Sequence, residues 1–392
     1  MKGILVALVL FVCSGRLAAQ HIDRHWVWEN ARHMVNMLMV QAQQDRVKQQ
    51  VFPRTVLRDS LKLVSSNDWT SGFFPGMLWF MYEHLHDEKW KTFAQEFTAL
   101  MVKEPYNGNS HDVGFKVYNS YGNGYRLTKD TSYKRMIIQA AKTLVTRFNP
   151  KTGCIKSWDF TQWQYPVIID NMMNLELLFE ATRLSGDSSF YKVAVTHANT
   201  TMKNHFRADY SSYHVVNYDT ATGAVITKTT AQGYAPESAW ARGQAWGLYG
   251  YTMCYRETKN KAYLEQAEHI ASFILNNPAL PADKVPYWDY NAPNLSSQPK
   301  DASAAAITAS ALYELSYYVR KGRKLRKAAD KIMFSLTRYY ATAPGAMHGF
   351  LLLHSTGHKP ANSEVDVPLI YADYYYLEAL MRSKKRSYSS HP

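Results

Sequence analysis

Helical segments joined by connections of alternating length are the feature that most constrains the fold of this chain. Apolar residues recur at helical spacing in twelve segments. They predict helices near residues 23–45, 70–84, 88–103, 113–127, 131–147, 170–185, 188–206, 239–256, 260–275, 302–319, 322–341 and 367–382. From helix 2 onward the helices form pairs linked by about two or three residues, and roughly 10 to 30 residues separate the pairs. Short links make neighbouring helices pack antiparallel.

The second helices of four pairs begin alike. In each, an Asp or Asn is followed three residues later by an aromatic residue. The acid or amide fits an N-cap, and the aromatic ring can pack back over the first turn. The four stretches are HDEKWKTFAQEF (86–97), KDTSYKRMIIQAA (129–141), GDSSFYKVAVTHA (186–198) and KNKAYLEQAEHIA (259–271), with Asp87, Asp130, Asp187 and Asn260 as the predicted caps.

A repeated two-helix unit indicates a repeat architecture. Six such units that close on themselves predict an all-α fold, an (α/α)6 toroid formed as one domain by residues 20–392. An open solenoid is the alternative, although no charged cap repeat is evident at either end of the chain.

The toroid also predicts where a site would lie, because alternating helices place the long connections and the N-termini of the even-numbered helices at one end of the ring. Long loops on a rigid scaffold usually carry function. The conspicuous polar and aromatic residues fall in these connections: Asp68, Trp69, His111, Asp112, Asp170, Gln232, Trp240, Arg242, Asp289, Asp301, Glu364 and Asp366.

The N-terminal sequence MKGILVALVLFVCSGRLAAQ resembles a secretory signal peptide, predicted to span residues 1–19. Its apolar stretch, residues 3–13, is too short to cross a bilayer, and no later segment is long and apolar enough to do so. The mature chain is therefore expected to be exported, either periplasmic or secreted. Of its two remaining cysteines, Cys154 and Cys254, free thiols are expected, with a single disulfide as the alternative.

The net positive charge of the chain indicates which class of partner to expect. The formal charge is +13, and removal of Lys2 and Arg16 with the signal peptide leaves +11. An exported basic protein suits an acidic glycan, and no nucleic-acid-binding motif is present. Oligomeric state is not readable from the sequence.

Two carboxylates are the candidate catalytic groups. Asp112 lies in SHDVGF (110–115), and Asp170 lies where an apolar run meets a helix in VIIDNMMN (167–174). Each could be only an N-cap. The loop before Asp170 contributes Trp158, Trp163 and Tyr165, which could stack sugar rings and exclude water. Dry surroundings raise a carboxyl pKa and permit general acid catalysis, whereas a helix N-terminus lowers it.

The stretch QGYAPESAWARGQAWGLYGY (232–251) supplies the second group of candidates. Arg242 could bind a carboxylate with two parallel hydrogen bonds, or form a salt bridge to Glu237 or to a neighbouring helix. Trp240 and Trp246 could line a sugar site or belong to the core.

No metal or cofactor is expected. HSTGH (354–358) has two His four residues apart but no third ligand nearby, and no HExxH is present. The GNG at 122–124 lacks the rest of a dinucleotide fingerprint, and no GxSxG elbow occurs.

Six stretches of the sequence resemble the unsaturated glucuronyl hydrolases of glycoside hydrolase family 88. They are WTSGFFPGMLW (69–79), HDVGF (111–115), IIDNMMNLELLFEA (168–181), HVVNYDTATGAV (214–225), QGYAPESAWARGQAW (232–246) and HKPANSEVDVPLIYADYYYLEAL (358–380). The resemblance covers nearly all of the mature chain and implies an (α/α)6 barrel. It also implies removal of the C4=C5 unsaturated uronate that polysaccharide lyases leave at a non-reducing end.

The resemblance further implies roles for individual residues. Asp170 matches the family's acid/base and Asp112 its partner carboxylate, and Ser110 stands where some members have Asn. The candidate substrate-binding residues are Trp69, His111, Trp158, His214, Gln232, Trp240, Arg242, Trp246 and Lys359, the last in a loop expected to face the next sugar. Lys359 would meet a sulfate or carboxylate, or have a structural role.

Two other functions remain open from the sequence. An unsaturated rhamnogalacturonyl hydrolase of family 105 shares the toroid and paired Asp residues but takes pectin fragments. A glycan-binding toroid without catalysis would bind tightly and release no product. The sequence does not fix which glycosaminoglycan is processed.

Overall fold

The computed structural model describes residues 22–45, 47 and 49–384. The predicted signal peptide, residues 1–19, lies outside the described residues. Among those that are described, no helix has the length and apolar character needed to cross a membrane.

Twelve helices make up most of the described part of the chain. The fourth, α4, consists of Val113–Val117, a π-helical turn at Tyr118–Gly122, and Asn123–Thr128. The others are α1 Arg24–Gln44, α2 Phe73–Leu85, α3 Glu88–Ala99, α5 Thr131–Val145, α6 Leu175–Ser185, α7 Ser188–Asn204, α8 Ala241–Thr258, α9 Lys261–Asn276, α10 Ala302–Leu315, α11 Gly322–Ser335 and α12 Ile370–Lys384. All twelve predicted helices are present, with shifts of a few residues at their ends.

The even-numbered helices form a closed inner ring. Each packs against the next, and α12 returns to pack against α2, which confirms the toroid over the open solenoid. Burial follows from this position, since every residue of α10 is buried, whereas outer helices such as α5 bury a single stripe. Inner helices are therefore buried on most sides and outer helices are amphipathic, as expected for two concentric layers.

Side-chain caps start the outer helices. Asp87, Asp130, Asp187 and Asn260 accept hydrogen bonds from the backbone N–H two residues ahead, which confirms the predicted N-caps. The aromatic residue three positions after each cap is buried in the core, which ties the start of each outer helix to the inner ring.

Nine short strands lie in the long connections of the described chain, where the helical pattern predicts only loops. They are β1 Phe52–Leu57, β2 Ser60–Val64, β3 Phe148–Asn149, β4 Cys154–Ile155, β5 Pro166–Ile168, β6 Val215–Tyr218, β7 Val225–Thr229, β8 Ser355–His358 and β9 Ser363–Val367. All pairings are antiparallel, as β1–β2, β3–β4, β5–β6–β7 and β8–β9. These small sheets hold the connections rigid over one end of the ring.

One glycine brings the two candidate carboxylates together. A Cβ on Gly114, at the start of α4, would lie 2.6 Å from the Cα of Asn174, which ends the 3₁₀ turn Ile169–Asn174. The side chain of Asn174 also accepts a hydrogen bond from the Phe115 N–H at 2.9 Å. Only glycine permits this approach, so the segments carrying Asp112 and Asp170 meet directly.

Candidate active site

A cavity of about 350 Å³ opens at the end of the ring that the long connections cover. Part of its lining comes from the loop 158–163, and part comes from the β8–β9 hairpin with Arg54 of β1. Trp69, Gln232 and Arg242 also line it. The cavity thus lies at the end of the ring that the sequence predicts, although Asp112, Asp170 and His214 lie outside this lining.

The loop 158–163 presents aromatic rings to the cavity. The ring of Trp158 lies 5.7 Å from that of Phe160 and 6.3 Å from that of Trp163. Phe160 is 80% exposed at the rim, so its face is free to pack against a ligand. Tyr165 does not join them, because it is buried beneath the sheet and its hydroxyl donates to the carbonyls of Arg147 and Cys154.

Arg54, which the sequence pattern did not single out, joins Asp68 and Glu364 in an ion-pair cluster at the cavity. The Arg54 guanidinium donates to both carboxylate oxygens of Glu364, at 2.5 and 2.9 Å, and to Asp68 at 2.7 Å. All three groups are half-buried. The β-branched and aromatic residues of VFPRTVL (51–57) are the sequence signal that would have placed Arg54 on a strand.

Hydrogen bonds and an ion pair fix the side chain of Arg242 at the cavity. Its Nη1 donates to Asp301 at 2.8 Å and to the Thr356 carbonyl, and its Nη2 donates to the Gly357 carbonyl at 2.6 Å. The guanidinium also lies 4.6 Å from the Trp240 ring. Its salt bridge is therefore to the cap of α10, a neighbouring inner helix, and not to Glu237, while the residue still contributes to the cavity lining.

Asp170 is not a helix cap. It lies within the 3₁₀ turn Ile169–Asn174, exposes only 9% of its surface, and its Oδ2 has no hydrogen-bond partner among the described residues. Burial, with a smaller contribution from the charge of Asp112, raises the pKa of Asp170 to about 7 against the opposing charge of Arg242. This carboxyl can therefore hold a proton near neutral pH.

Asp112 does not cap a helix either, although it occupies the cap position of α4. Its Oδ2 accepts a hydrogen bond from the Ser110 hydroxyl at 3.1 Å, and its Oδ1 lies 3.4 Å from His111 Nε2. The side chain of Asp112 is 14% exposed, whereas His111 is fully buried behind it. His111 therefore supports Asp112 from the core side.

His214 reaches Asp170 in one defined tautomer. Its Nδ1 accepts the backbone N–H groups of Ala231 and Gln232, each at 3.1 Å, so the proton of the neutral ring is on Nε2. Burial lowers the pKa of His214 well below its usual value, which keeps the ring neutral. Nε2 lies 3.7 Å from Asp170 Oδ2. The ring thus presents an N–H donor to a group bound beside Asp170.

The remaining predicted binding residues occupy different positions. Trp240 is buried with its ring 4.6 Å from that of His214, and Gln232 donates from its side chain to the Gly357 carbonyl at 3.0 Å. Trp246 is fully buried against Phe115, outside the cavity lining, where its indole N–H faces Asp170 and acts to lower the pKa of that carboxyl. Lys359 lies half-buried in the turn between β8 and β9, next to lining residues but not among them.

The arrangement combines parts that acid–base chemistry on a sugar requires. A carboxyl that can be protonated at neutral pH lies beside a second carboxyl, a neutral His donor and a guanidinium, below an aromatic wall. Two buried polar atoms beside each other here lack a hydrogen-bond partner within the described residues, Asp170 Oδ2 and His214 Nε2. Such groups are rare in folded proteins and are typical of sites where a ligand supplies the missing partner.

The described residues do not form a recognisable metal-binding cluster. In the described ranges, no group of three or more His, Cys, Asp or Glu side chains is placed to hold a metal ion. His354 of the HSTGH stretch instead pairs with Asp366 at 2.7 Å. Cys154 and Cys254 are both buried free thiols.

Known proteins match this chain in both sequence and fold. The family model described as Glycosyl Hydrolase Family 88 matches residues 30–314. The unsaturated glucuronyl hydrolase of Formosa agariphila is 51% identical over 338 residues, which are 85% of this chain and 84% of the relative. The unsaturated chondroitin disaccharide hydrolase of Streptococcus agalactiae is 34% identical over 83% of each chain. A crystal structure of an unsaturated glucuronyl hydrolase specific for heparin is 49% identical, with a TM-score of 0.88 over 92% of this chain and 97% of that chain.

Proposed function

Because the chain belongs to glycoside hydrolase family 88, we propose that it hydrates the C4=C5 bond of an unsaturated glucuronic acid at the non-reducing end of lyase-generated oligosaccharides. Membership in this family decides against the family 105 alternative and against a binding protein without catalysis. The observation that carries the assignment is the burial of Asp170, which lets it hold a proton near pH 7 beside Asp112.

The cavity suits an anionic sugar at its inner end and a second sugar at its rim. Arg242 and the Nε2–H of His214 offer positive charge and a donor near Asp170. The Trp158 ring lies 6.0 Å from the His214 ring, so an aromatic face continues outward from the reacting position. We infer that the unsaturated uronate binds below Trp158 and that the leaving sugar lies between Phe160 and the β8–β9 hairpin.

The unsaturated sugar is a vinyl ether, which explains why two carboxyl groups suffice. Asp170 donates its proton to C4, using the π electrons of the C4=C5 bond, and positive charge forms at C5 and is shared with the ring oxygen. Water then adds to C5 while the Asp170 carboxylate accepts the proton that water loses. The resulting hemiketal opens to a C5 ketone, and the hemiacetal at C1 breaks down to release the neighbouring sugar.

Asp112 has a different task in this reaction. Its Oδ2 accepts a hydrogen bond from Ser110 and its Oδ1 lies 3.4 Å from His111, and the cycle described above requires no proton from it. We assign it to positioning the sugar and to stabilising the positive charge near C5, which forms only in the transition state. Interactions made only there raise kcat.

Deuterium labelling tests the proposed chemistry. In D2O, turnover of an unsaturated disaccharide is expected to place one deuterium at C4 of the released uronate, in a single configuration, when samples are quenched early and examined by NMR. The reason is that one enzyme-bound proton, exchanged with solvent, is delivered to one face of C4. A released uronate that keeps its C4=C5 bond and contains no deuterium at C4 would show direct cleavage at C1 and would contradict the mechanism.

Sulfated heparin-type disaccharides are the substrates we propose. Support comes from the 49% identity to the enzyme specific for heparin, compared with 34% to the chondroitin disaccharide hydrolase. Lys359, beside the cavity, is the cation we assign to a sulfate or carboxylate of the second sugar. Higher kcat/KM on chondroitin than on heparin disaccharides would reject this preference.

Export is proposed from the N-terminal sequence alone. Residues 1–19 have the charged, apolar and small-residue regions of a signal peptide. The intact mass of protein secreted by a bacterial host should therefore correspond to a chain that begins at Gln20. A mass that includes residues 1–19 would argue against cleavage.

A further inference from the structure

The outer helix α11 and its flanking turns carry a concentrated positive charge that the active site does not use. Residues 320–338 contain eight Lys or Arg residues and one Asp, a net charge of +7, while the whole chain carries +13. More than half of the net charge therefore lies in this one short segment. We call residues 320–338 the α11 basic surface.

Most of the Lys and Arg side chains on this surface are exposed and are not neutralised by acidic neighbours. Asp330, the one acid in the segment, accepts a hydrogen bond from the Tyr313 hydroxyl at 2.8 Å. Arg326 points inward and donates to the carbonyl of Ser383. The other seven cations form no salt bridge within the part of the chain that the structure describes; six are exposed and one, Lys331, is half-buried: Arg320, Lys321, Arg323, Lys324, Lys327, Lys331 and Arg338.

Their spacing aligns them on one side of the helix. Lys324, Lys327 and Lys331 stand at i, i+3 and i+7, which places their side chains in a row along the outer face of α11. A helix of 14 residues is about 21 Å long, so the row is an extended strip and not a single-ion site. Like charges at i and i+4, such as Arg323–Lys327 and Lys327–Lys331, weaken an isolated helix. This repulsion weakens the unbound helix, and a bound polyanion would offset it.

The strip leads toward the end of the ring that holds the cavity. From the C-terminus of α11 the chain continues through the π-helical turn Leu336–Tyr340 to Ala341, which forms a β-bridge with Leu352 just before β8. The ring of Tyr340 lies 5.8 Å from that of His354. A linear anion on α11 would therefore lie along the outer wall, apart from the cavity and close to its β8–β9 rim.

We propose that the α11 basic surface is a docking site for the chain of an anionic, sulfated polysaccharide. Lys and Arg form charge-assisted hydrogen bonds with sulfate and carboxylate groups, and a row of cations matches a linear polymer with a charge on successive sugars. An intact polymer is far too large for a 350 Å³ cavity. Docking on α11 would hold the enzyme on the acidic polysaccharide whose lyase fragments it consumes. Binding at this surface is independent of the chemistry at Asp170.

Salt-dependent binding to intact heparin chains tests the proposal. The variant Lys324→Gln/Lys327→Gln/Lys331→Gln removes three charges from the strip. Its matched control, Arg135→Gln/Lys142→Gln/Lys261→Gln, removes three exposed charges from α5 and α9 that form no salt bridge within the described residues. The strip variant should bind heparin at least about tenfold more weakly, and the slope of log affinity against log salt should fall by up to about 3.

Disaccharide turnover and the control variants distinguish heparin binding at the α11 basic surface from binding in the active site. The control should stay within about twofold of the wild type in affinity and slope. Both triple variants should turn over unsaturated disaccharides at the wild-type rate and give wild-type circular dichroism, and Asp170→Asn should keep full heparin affinity.

Three results would overturn the proposal. Equal losses in the strip and control variants would mean that diffuse net charge, and not this surface, binds heparin. An unchanged affinity in the strip variant would remove α11 from any role in binding. Tighter binding of the wild type to phosphatidylglycerol vesicles or duplex DNA than to heparin at the same salt, lost in the strip variant, would assign the surface to a lipid or nucleic acid instead.

Discussion

Replacement of Asp170 by Asn is expected to reduce turnover of unsaturated disaccharides by at least about 10²–10⁴-fold, the range typical for removal of a general acid or base. The amide keeps the size of the side chain but cannot deliver a proton to C4 or accept one from water. KM should change far less than kcat, because the cavity lining is untouched. The rate is followed as loss of the ultraviolet absorbance of the C4=C5 bond.

A matched substitution separates this loss from general damage. Asp130→Asn changes the same atoms at an exposed N-cap, where Asn caps a helix as well as Asp, and should leave the rate unchanged.

Asp170→Asn should also remain folded, and at pH 8 it should be more stable than the wild type. Ionised Asp170 is disfavoured in the folded state, since raising its pKa from 3.8 to about 7 costs of the order of 4 kcal/mol once the pH exceeds 7. A variant that retains more than a tenth of the wild-type rate would reject Asp170 as the proton donor.

Replacement of Asp112 by Asn is expected to lower kcat/KM by about 10²-fold or more and to change the pH profile in a defined direction. In the wild type, only the protonated form of Asp170 can start the reaction, so kcat/KM should fall above a pKa of about 7, to which burial contributes most and the charge of Asp112 contributes less. Without the Asp112 charge the pKa of Asp170 is lower. The alkaline fall of the residual activity should therefore begin at a lower pH in the variant.

The pH profile distinguishes this role from a structural one. Loss of fold or of binding geometry would lower the rate without moving the pH at which it falls. Asp187→Asn, another exposed N-cap, serves as the matched control and should show the wild-type profile. An alkaline limb that moves to higher pH in Asp112→Asn, or complete loss there beside an active Asp170→Asn, would reverse the two assignments.

The ring itself was predictable from the sequence because its signals are local. Helical spacing, short links and the recurring cap at Asp87, Asp130 and Asp187 each depend on residues within a few positions of one another. Closure of the ring follows from their number, although only the packing of α12 against α2 demonstrates it. The end of the ring that carries the site follows from the same alternation.

The site was predictable in part, and its gaps have physical reasons. Arg242 was recognised as a carboxylate-binding or ion-pairing residue, but its partners Asp301 and Gly357 are 59 and 115 residues away, beyond any local pattern. Arg54 was missed because its strand is short and lies inside a connection that reads as a loop. Periodicity also does not tell which way a loop side chain points, so Tyr165 was expected at the aromatic wall and is buried instead.

The balance at Asp170 also required the structure. From the sequence, a helix start lowers the pKa of this carboxyl and an aromatic loop raises it, and neither influence can be weighed without knowing burial. The structure places the carboxyl in a 3₁₀ turn, short of the helix, with Oδ2 unpaired among the described residues. Burial there outweighs the Arg242 charge and the hydrogen bonds that favour the carboxylate, and so decides the protonation state.

Loss of the C4=C5 ultraviolet absorbance is the measurement that tests the central claim most directly. Purified mature protein would be incubated with unsaturated disaccharides from heparin, chondroitin sulfates and hyaluronan, with Asp170→Asn as the control. The account predicts that absorbance disappears with the wild-type protein, fastest on the heparin disaccharides, and persists with the variant. Absorbance that persists on every disaccharide, or that disappears equally with Asp170→Asn, would contradict it.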